Sequence, residues 1–354
     1  MTTPDQAFLH PRILVPFVVM TLIWGSTWLI ITGQLGSVPP VWSISYRFAI
    51  GAAAMFAYAA LTGMPTAIGR EGHVFAAAFG VAQFCFNVTL VYLAEQYITS
   101  GLVAVIFALL IVPNSLFAWL FLKHRISGRF ILGSLVAVSG VALLFVHEIR
   151  ASAGSAGTIA TGIGLALLGM LCASIASIIQ ASKRAQARPI MGMIAWGMVH
   201  GVVANSLFAL LFIGPPVFST SLAYVSSLLY LGLMGSALVF PLYIHVIRAA
   251  GPGFAGYSNA LAPFLAMVLS TIFENYRWSL PAAIGGVLGI AGLFIALRAR
   301  RPTPAADPMS ATDPMPATDP MPDPMEVDPV EADPVNVGPG NVGPGSVDPV
   351  KAAP

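Results

Sequence analysis

At 354 residues, with 57% apolar and 8% charged positions and a mean hydropathy of +0.84, the chain carries more apolar surface than a soluble fold of its size can hide. The apolar residues fall in runs of roughly 20, enough helix to cross ~30 Å of hydrocarbon, and lack the alternation over ~10 residues that a membrane strand needs. Composition therefore predicts an all-α membrane protein, and the net charge of +2 adds little until its distribution is read.

Met1 to Arg12 is short and polar, the run after it is full length, and no small-residue cleavage site stands clear of it, so the first span is expected to stay in the mature protein. Ten spans are predicted, at 13–33, 41–62, 73–93, 98–121, 128–146, 158–180, 190–213, 221–247, 253–273 and 280–298. Turn residues mark the connections, among them Pro39-Pro40, Gly63 with Pro65, and Gly214-Pro215-Pro216. Cys85 and Cys172 both sit inside apolar runs and suggest no disulfide framework.

The stretch Ser100 to Phe145 returns, in landmark order, as Ala250 to Leu297. Pro113 answers Pro263, Ser127 answers Ser279, and Gly133 with Gly140 answers Gly285 with Gly292. A period this long fits two homologous halves of one membrane body rather than a solenoid. Five spans per half is an odd number, which turns the second half over and makes the repeat an inverted one. The expected division is a segment 1–12, a first repeat 13–146, a linker 147–157, a second repeat 158–298 and a tail 299–354.

A cytoplasmic N-terminus puts Arg12, Arg70, Lys123, Arg125, Arg129, Lys183, Arg184, Arg188, Arg248, Arg298, Arg300 and Arg301 on the inner side, and only Arg150 and Arg277 outside. That asymmetry predicts a multi-pass protein of the inner (cytoplasmic) membrane with both termini in the cytoplasm. From Pro302 the character changes. The tail holds 14 of the 28 prolines and repeats Asp-Pro-Met and then Asp-Pro-Val, so it is expected to be disordered, acidic and Pro-rich, either a solvated appendage or a docking segment for an unknown partner.

Several motifs now fall into place. Trp24-Gly25-Ser26 in the first span, Arg47-Phe48 in the second, Ala94-Glu95-Gln96-Tyr97 leading to Ser100, and the prolines Pro113 and Pro263 occur in order along residues 12–301. In these the chain resembles the drug/metabolite transporter superfamily, in particular its ten-helix EamA-type group. The resemblance implies carrier-type movement of a small organic molecule by alternating access, commonly export of amino acids or related metabolites. The chain departs from the family pattern at Lys123-His124-Arg125, where Gly-Glu-Arg is frequent, and at Glu95, where the family has an apolar residue.

Ionisable and polar groups at membrane depth are costly unless they face a cavity or a partner, so they are the candidate site. Arg47 lies about six residues, ~9 Å, inside its span and is either a cationic anchor for an anionic substrate group or a structural tie. Gln83 and Asn87, four apart, share a helix face. Asn114 follows Pro113 and Asn259 precedes Pro263, positions where a proline frees a carbonyl. His200 suits either a proton carrier or a neutral interhelical bond. Trp24 and Tyr92 supply aromatic surface near Arg47, whereas Trp42 and Trp278 read as interface anchors. Pro113, Pro263, Gly251 and Gly253 are hinge candidates, and the paired glycines are expected to let helices approach closely.

No aspartate occurs between Asp5 and Asp307, which leaves Glu95 and Glu274 at span ends and Glu71 and Glu148 in loops as the carboxylates. No Gly-x-x-x-x-Gly-Lys-Ser/Thr loop, His-Glu-x-x-His or Gly-x-Ser-x-Gly element is present, so no cofactor, metal or catalytic set is expected. The partners expected are a small-molecule substrate and the lipid bilayer, with a homodimer possible and no nucleic acid. The competing readings are a channel or scaffold that presents the acidic tail, and an intramembrane enzyme.

Overall fold

The computed structural model describes residues 10–36, 38–123, 126–151 and 156–299. The tail beyond 299 lies outside the described residues, as do His124 and Arg125. What is described is helical, with no strand among these residues. Among the described residues nine helical stretches are long and apolar enough to cross a membrane, and a tenth, shorter apolar stretch runs over Leu261–Phe273.

The first half comprises α1 (Pro11–Thr32), α2 (Pro40–Thr62), α3 (Gly69–Ala94), α4 (Ser100–Leu122) and α5 (Gly128–Ala151). The second comprises α6 (Ala156–Ala181), α7 (Ile190–Phe212), α8 (membrane span Leu222–Ile247, its helix continuing to Gly256), α9 (Ser258–Phe273) and α10 (Leu280–Ala299). Three starts have a local cause. Pro11 and Pro40 occupy first-turn positions where no amide hydrogen bond is lost, and the Ser221 hydroxyl accepts from the Tyr224 amide. Gly63 ends α2 in the left-handed region at φ 67°.

Three departures from the expected spans matter. The eighth helix does not stop at 247 but runs through Gly251 and Gly253 to Gly256, leaving Tyr257 between it and α9. Gly251 and Gly253 therefore lie in a helix, and their packing is outside the described residues. Helix α5 continues to Ala151, which places Glu148 in a helix rather than a loop. Trp42, read as an interface anchor, is buried among Val38, Val41, Ala209, Tyr224 and Leu228, because the start of α8 covers it.

Two helices carry a π-helical segment, Val81–Asn87 in α3 and Tyr230–Leu238 in α8, the third helix of each half. An i→i+5 pattern leaves carbonyls short of partners. In α3 the Asn205 side-chain amide of α7 donates to the Phe84 carbonyl at 3.0 Å. In α8 the Ser236 hydroxyl donates to the Leu231 carbonyl at 2.9 Å. Each π-segment also meets the second helix of the opposite half at glycines. A Cβ on Gly80, one residue before the first π-segment, would collide with the Gly197 carbonyl oxygen, and one on Gly232 in the second would stand 3.0 Å from the Arg47 carbonyl oxygen. The halves interlock at these two crossings.

The glycine landmarks hold α5 against α10. A Cβ on Gly285 would stand 2.6 Å from the Gly140 carbonyl oxygen, and one on Gly133 2.8 Å from that of Gly292. Only glycine allows this approach, as expected from the repeat. In α4 the helix is interrupted at Leu109–Leu110 and resumes at Ile111; Leu109 lies four residues ahead of Pro113, which has no amide hydrogen to donate to it. Its counterpart Pro263 sits inside an unbroken α9.

Candidate functional site

Alternation of the spans gives the bundle two ends. One, the Glu95 end, gathers residues 33–36, 38–39, 95–99 and 274–279; the other, the Arg184 end, gathers residues 63–68 and 182–189. Cross-links respect this division. At the Arg184 end Glu71 accepts from Arg188 at 2.8 Å and pairs with Arg184 at 3.7 Å, so the start of α3 is held to the turn before α7. At the Glu95 end the Tyr276 hydroxyl donates to Glu148 at 2.6 Å, and burial together with that carboxylate pushes the phenol well above its ordinary range.

The polar centre lies toward the Glu95 end, where α1, α2, α3 and α8 meet. Arg47 is the eighth residue of α2 and only 8% exposed. Its guanidinium lies 5.0 Å from the Phe48 ring centroid, interacts with the Tyr92 hydroxyl, and faces Gly235 in the π-segment of α8. Its Nε is buried with no hydrogen-bond partner. Tyr92 is fully buried and donates to the Gln34 side-chain oxygen at 2.8 Å, which leaves the Gln34 amide nitrogen buried and unpartnered. Glu95, one residue past α3, is 8% exposed with both carboxylate oxygens unpartnered. One buried cluster thus holds free donors on Arg47 and Gln34 and free acceptors on Glu95.

The other expected residues divide. Trp24 packs on Tyr243 and Phe240 of α8, with centroids 5.3 and 6.4 Å apart, which places it on the α1–α8 contact. Gly25 beside it would drive a Cβ into Leu265 of α9, and Ser26 shares a 2.6 Å hydrogen bond with Tyr230. The Trp-Gly-Ser element therefore joins the first helix to the second half. Asn87 is buried with its side-chain oxygen unpartnered, against Gly169 of α6, and Gln83 is half-buried one turn earlier in the same π-segment. Asn114, just past the break in α4, is half-buried with its side-chain oxygen unpartnered. His200 faces His73 at 3.3 Å, across the α3–α7 contact, with Trp196 alongside. The Asn259 side chain lies outside the described residues.

Reading the sequence missed Gln34, the burial of Glu95 and the role of Asn205. Gln34 and Glu95 sit just beyond apolar runs, where a polar residue reads as loop. The helix ends converge there in space, and no periodicity in either segment reports it.

The geometry can be set beside known proteins. The EamA-like transporter family matches the chain twice, over residues 12–146 and 160–298. Protein PagO of Salmonella typhimurium is 24% identical over 286 residues, covering 80% of this chain and 92% of its own length. An uncharacterized transporter of Bacillus subtilis, YdfC, is 24% identical over 286 residues, covering 80% of this chain and 90% of its own. A probable terminal-alkyne amino-acid exporter of Streptantibioticus cattleyicolor is 26% identical over 209 residues, covering 58% of this chain and 66% of its own. One solved crystal structure of a protein is similar in fold, with a TM-score of 0.58 and 20% identity over 85% of this chain and 100% of its own.

Proposed function

The chain belongs to the EamA-like transporter family, and from that premise we propose that it is a secondary transporter exporting a small organic metabolite, an amino acid or related compound, by alternating access. The observation that carries the reading is Arg47, buried where the two halves meet, with an unpartnered guanidinium nitrogen. A fixed, desolvated guanidinium without a carboxylate partner is suited to an anionic group that arrives and leaves. Support for the substrate class is narrower and comes from the relative named as a probable amino-acid exporter.

In this reading Arg47 and Tyr92 anchor the substrate's carboxylate, and Trp24 covers its apolar part. Gln83, Asn87, Asn114, His200 and Asn259 line the route. The two family matches, 12–146 and 160–298, support repeats that rock against each other. The break before Pro113 is the flexible point in the first half, with Pro263, Gly251 and Gly253 its counterparts in the second. Basic residues at 183, 184 and 188 favour a cytoplasmic Arg184 end in the inner membrane, with N- and C-termini on that side. The Glu95 end is then outside and closed in this structure. There α4 and α9 are pinned together: Glu274 holds Ser100, and a Cβ on Gly101 would stand 2.7 Å from the Ser270 Cβ.

The test is uptake of a labelled panel of amino acids and related metabolites into proteoliposomes, with and without the same unlabelled compound inside. Saturable uptake accelerated by internal substrate is expected for one class. Uptake of every compound without saturation or acceleration is the channel result and contradicts the proposal.

A further inference from the structure

The least comfortable group in the described structure is Glu95. Its carboxyl is withdrawn from solvent, both oxygens lack a hydrogen-bond donor, and no ion pair reaches it within 4 Å among the described residues. An ionised carboxylate in such a place is strongly disfavoured, whereas the neutral acid is tolerated.

The charged and titratable groups around it are few. Arg47 faces it from α2, Glu274 from the end of α9, and Tyr92 precedes it on α3 with Tyr224 of α8 beyond. Glu274 is already committed, since its two oxygens accept from the Ser100 amide at 3.2 Å and the Ser100 hydroxyl at 2.6 Å. As the cap of α4 it presents like charge to Glu95. Burial, then Glu274, push the Glu95 carboxyl well above the usual carboxylate range, and Arg47 pulls more weakly the other way.

We propose that Glu95 is a proton-binding site that latches the Glu95 end of the transporter: the end closes when Glu95 takes a proton, and opening returns that proton to water. The inference rests on the alternating-access reading, because it needs an open state of this end. On opening, the carboxyl O–H breaks, the proton passes to the entering water, and the carboxylate left behind is hydrated beside Arg47. Closing reverses the step, with the proton drawn from solvent on that side. No other reactant is required. Since one proton is bound more tightly in the closed form, the closed-to-open ratio falls by up to about tenfold per pH unit as pH rises between the two affinities.

The experiment measures opening directly and needs no substrate. Spin labels at the exposed positions Gln96 and Arg277, placed by cysteine substitution after Cys85→Ser and Cys172→Ser, report the distance between the two loops in lipid nanodiscs. The expected result is a short distance at acid pH that gives way to a longer one as pH rises, and a short distance at every pH in Glu95→Gln. A pH-independent distribution in the wild type, or the same pH response in Glu95→Gln, overturns the proposal. Infrared difference spectra of the unlabelled protein supply a second measurement should the labelled variants misfold. At the acid pH where the end is closed, a neutral-acid carbonyl band present in the wild type and missing in Glu95→Gln is expected; its absence from the wild type overturns the proposal. Neither readout depends on transport, so a failure of substrate exchange and a failure of the latch are told apart.

Discussion

Glu274 closes the gap between the two halves by capping a helix that is not its own: its carboxylate accepts from the Ser100 amide and hydroxyl, at the first residue of α4. A negative group at a helix N-terminus gains from both the free amides and the helix dipole. The inverted repeat places the corresponding turn of the first half at Lys123, which ends α4 in the left-handed region at φ 56° and brings no carboxylate. The Glu95 end is therefore fastened by a contact that the turn after α4 lacks a carboxylate to repeat.

Glu274→Gln keeps the shape of the cap but removes its charge, and Ser100→Ala removes one of its two bonds. A hydrogen bond to a charged group contributes about 1.5–3 kcal/mol. Both variants are expected to lengthen the Gln96–Arg277 distance distribution at a fixed acid pH, Glu274→Gln more strongly. Unchanged distributions in both would show that the cap does not hold the end shut.

Asn205→Ala strips the Phe84 carbonyl in the π-segment of its side-chain donor from α7. An orphaned buried acceptor costs about 1–3 kcal/mol, and the apparent melting temperature in detergent should fall accordingly. Ser236→Ala in α8 removes a bond between neutral groups within one segment and should cost less, about 0.5–1.5 kcal/mol. Equal melting temperatures for wild type and Asn205→Ala would refute the account of how the π-segment is satisfied.

Helix crossings offer a steric test. Gly80→Ala places a methyl on the Gly197 backbone and Gly292→Ala one on the Ala137 backbone, so each should lower stability by about 1–3 kcal/mol or more. Gly164→Ala is the control, because nothing lies within 4 Å of its Cβ. Thermal unfolding that ranks the control with the other two would contradict the close crossings.

The Glu95 carboxyl makes stability depend on pH with a definite sign. Its affinity for a proton in the folded protein is raised above the ordinary value of 4.5. Below pH 4.5 folded and unfolded chains both hold the proton and the group contributes nothing. Above it the unfolded chain ionises first, and the closed fold loses up to about 1.4 kcal/mol per unit until its own carboxyl ionises. Glu95→Gln should therefore raise the melting temperature at neutral pH and leave it unchanged near pH 4. A gain of the same size at both would mean that the substitution acts through packing alone.

Much of the bundle was legible because the bilayer fixes how long an apolar run must be, and glycine pairs and Pro113 announce close approach and interruption on their own. The candidate site was legible only in part. Arg47 and Tyr92 stand out as polar groups at depth and do meet. Gln83 and Asn87 were paired by α-helical spacing, yet they belong to a π-segment that meets α7 through the Asn205 bond and, one residue before it, the Gly80 crossing. Glu95 and Gln34 acquire their burial from which helix ends converge, a tertiary fact that neighbours in sequence do not encode.

The central claim is a carrier with Arg47 at its substrate site, and the most direct measurement is counterflow of the identified substrate in proteoliposomes carrying wild type, Arg47→Lys or Arg47→Ala at equal reconstituted amounts. A lost charged hydrogen bond predicts a half-saturation concentration raised about tenfold or more in Arg47→Ala, with partial recovery in Arg47→Lys. Counterflow kinetics of Arg47→Ala indistinguishable from wild type would contradict the account and return Arg47 to a purely structural role.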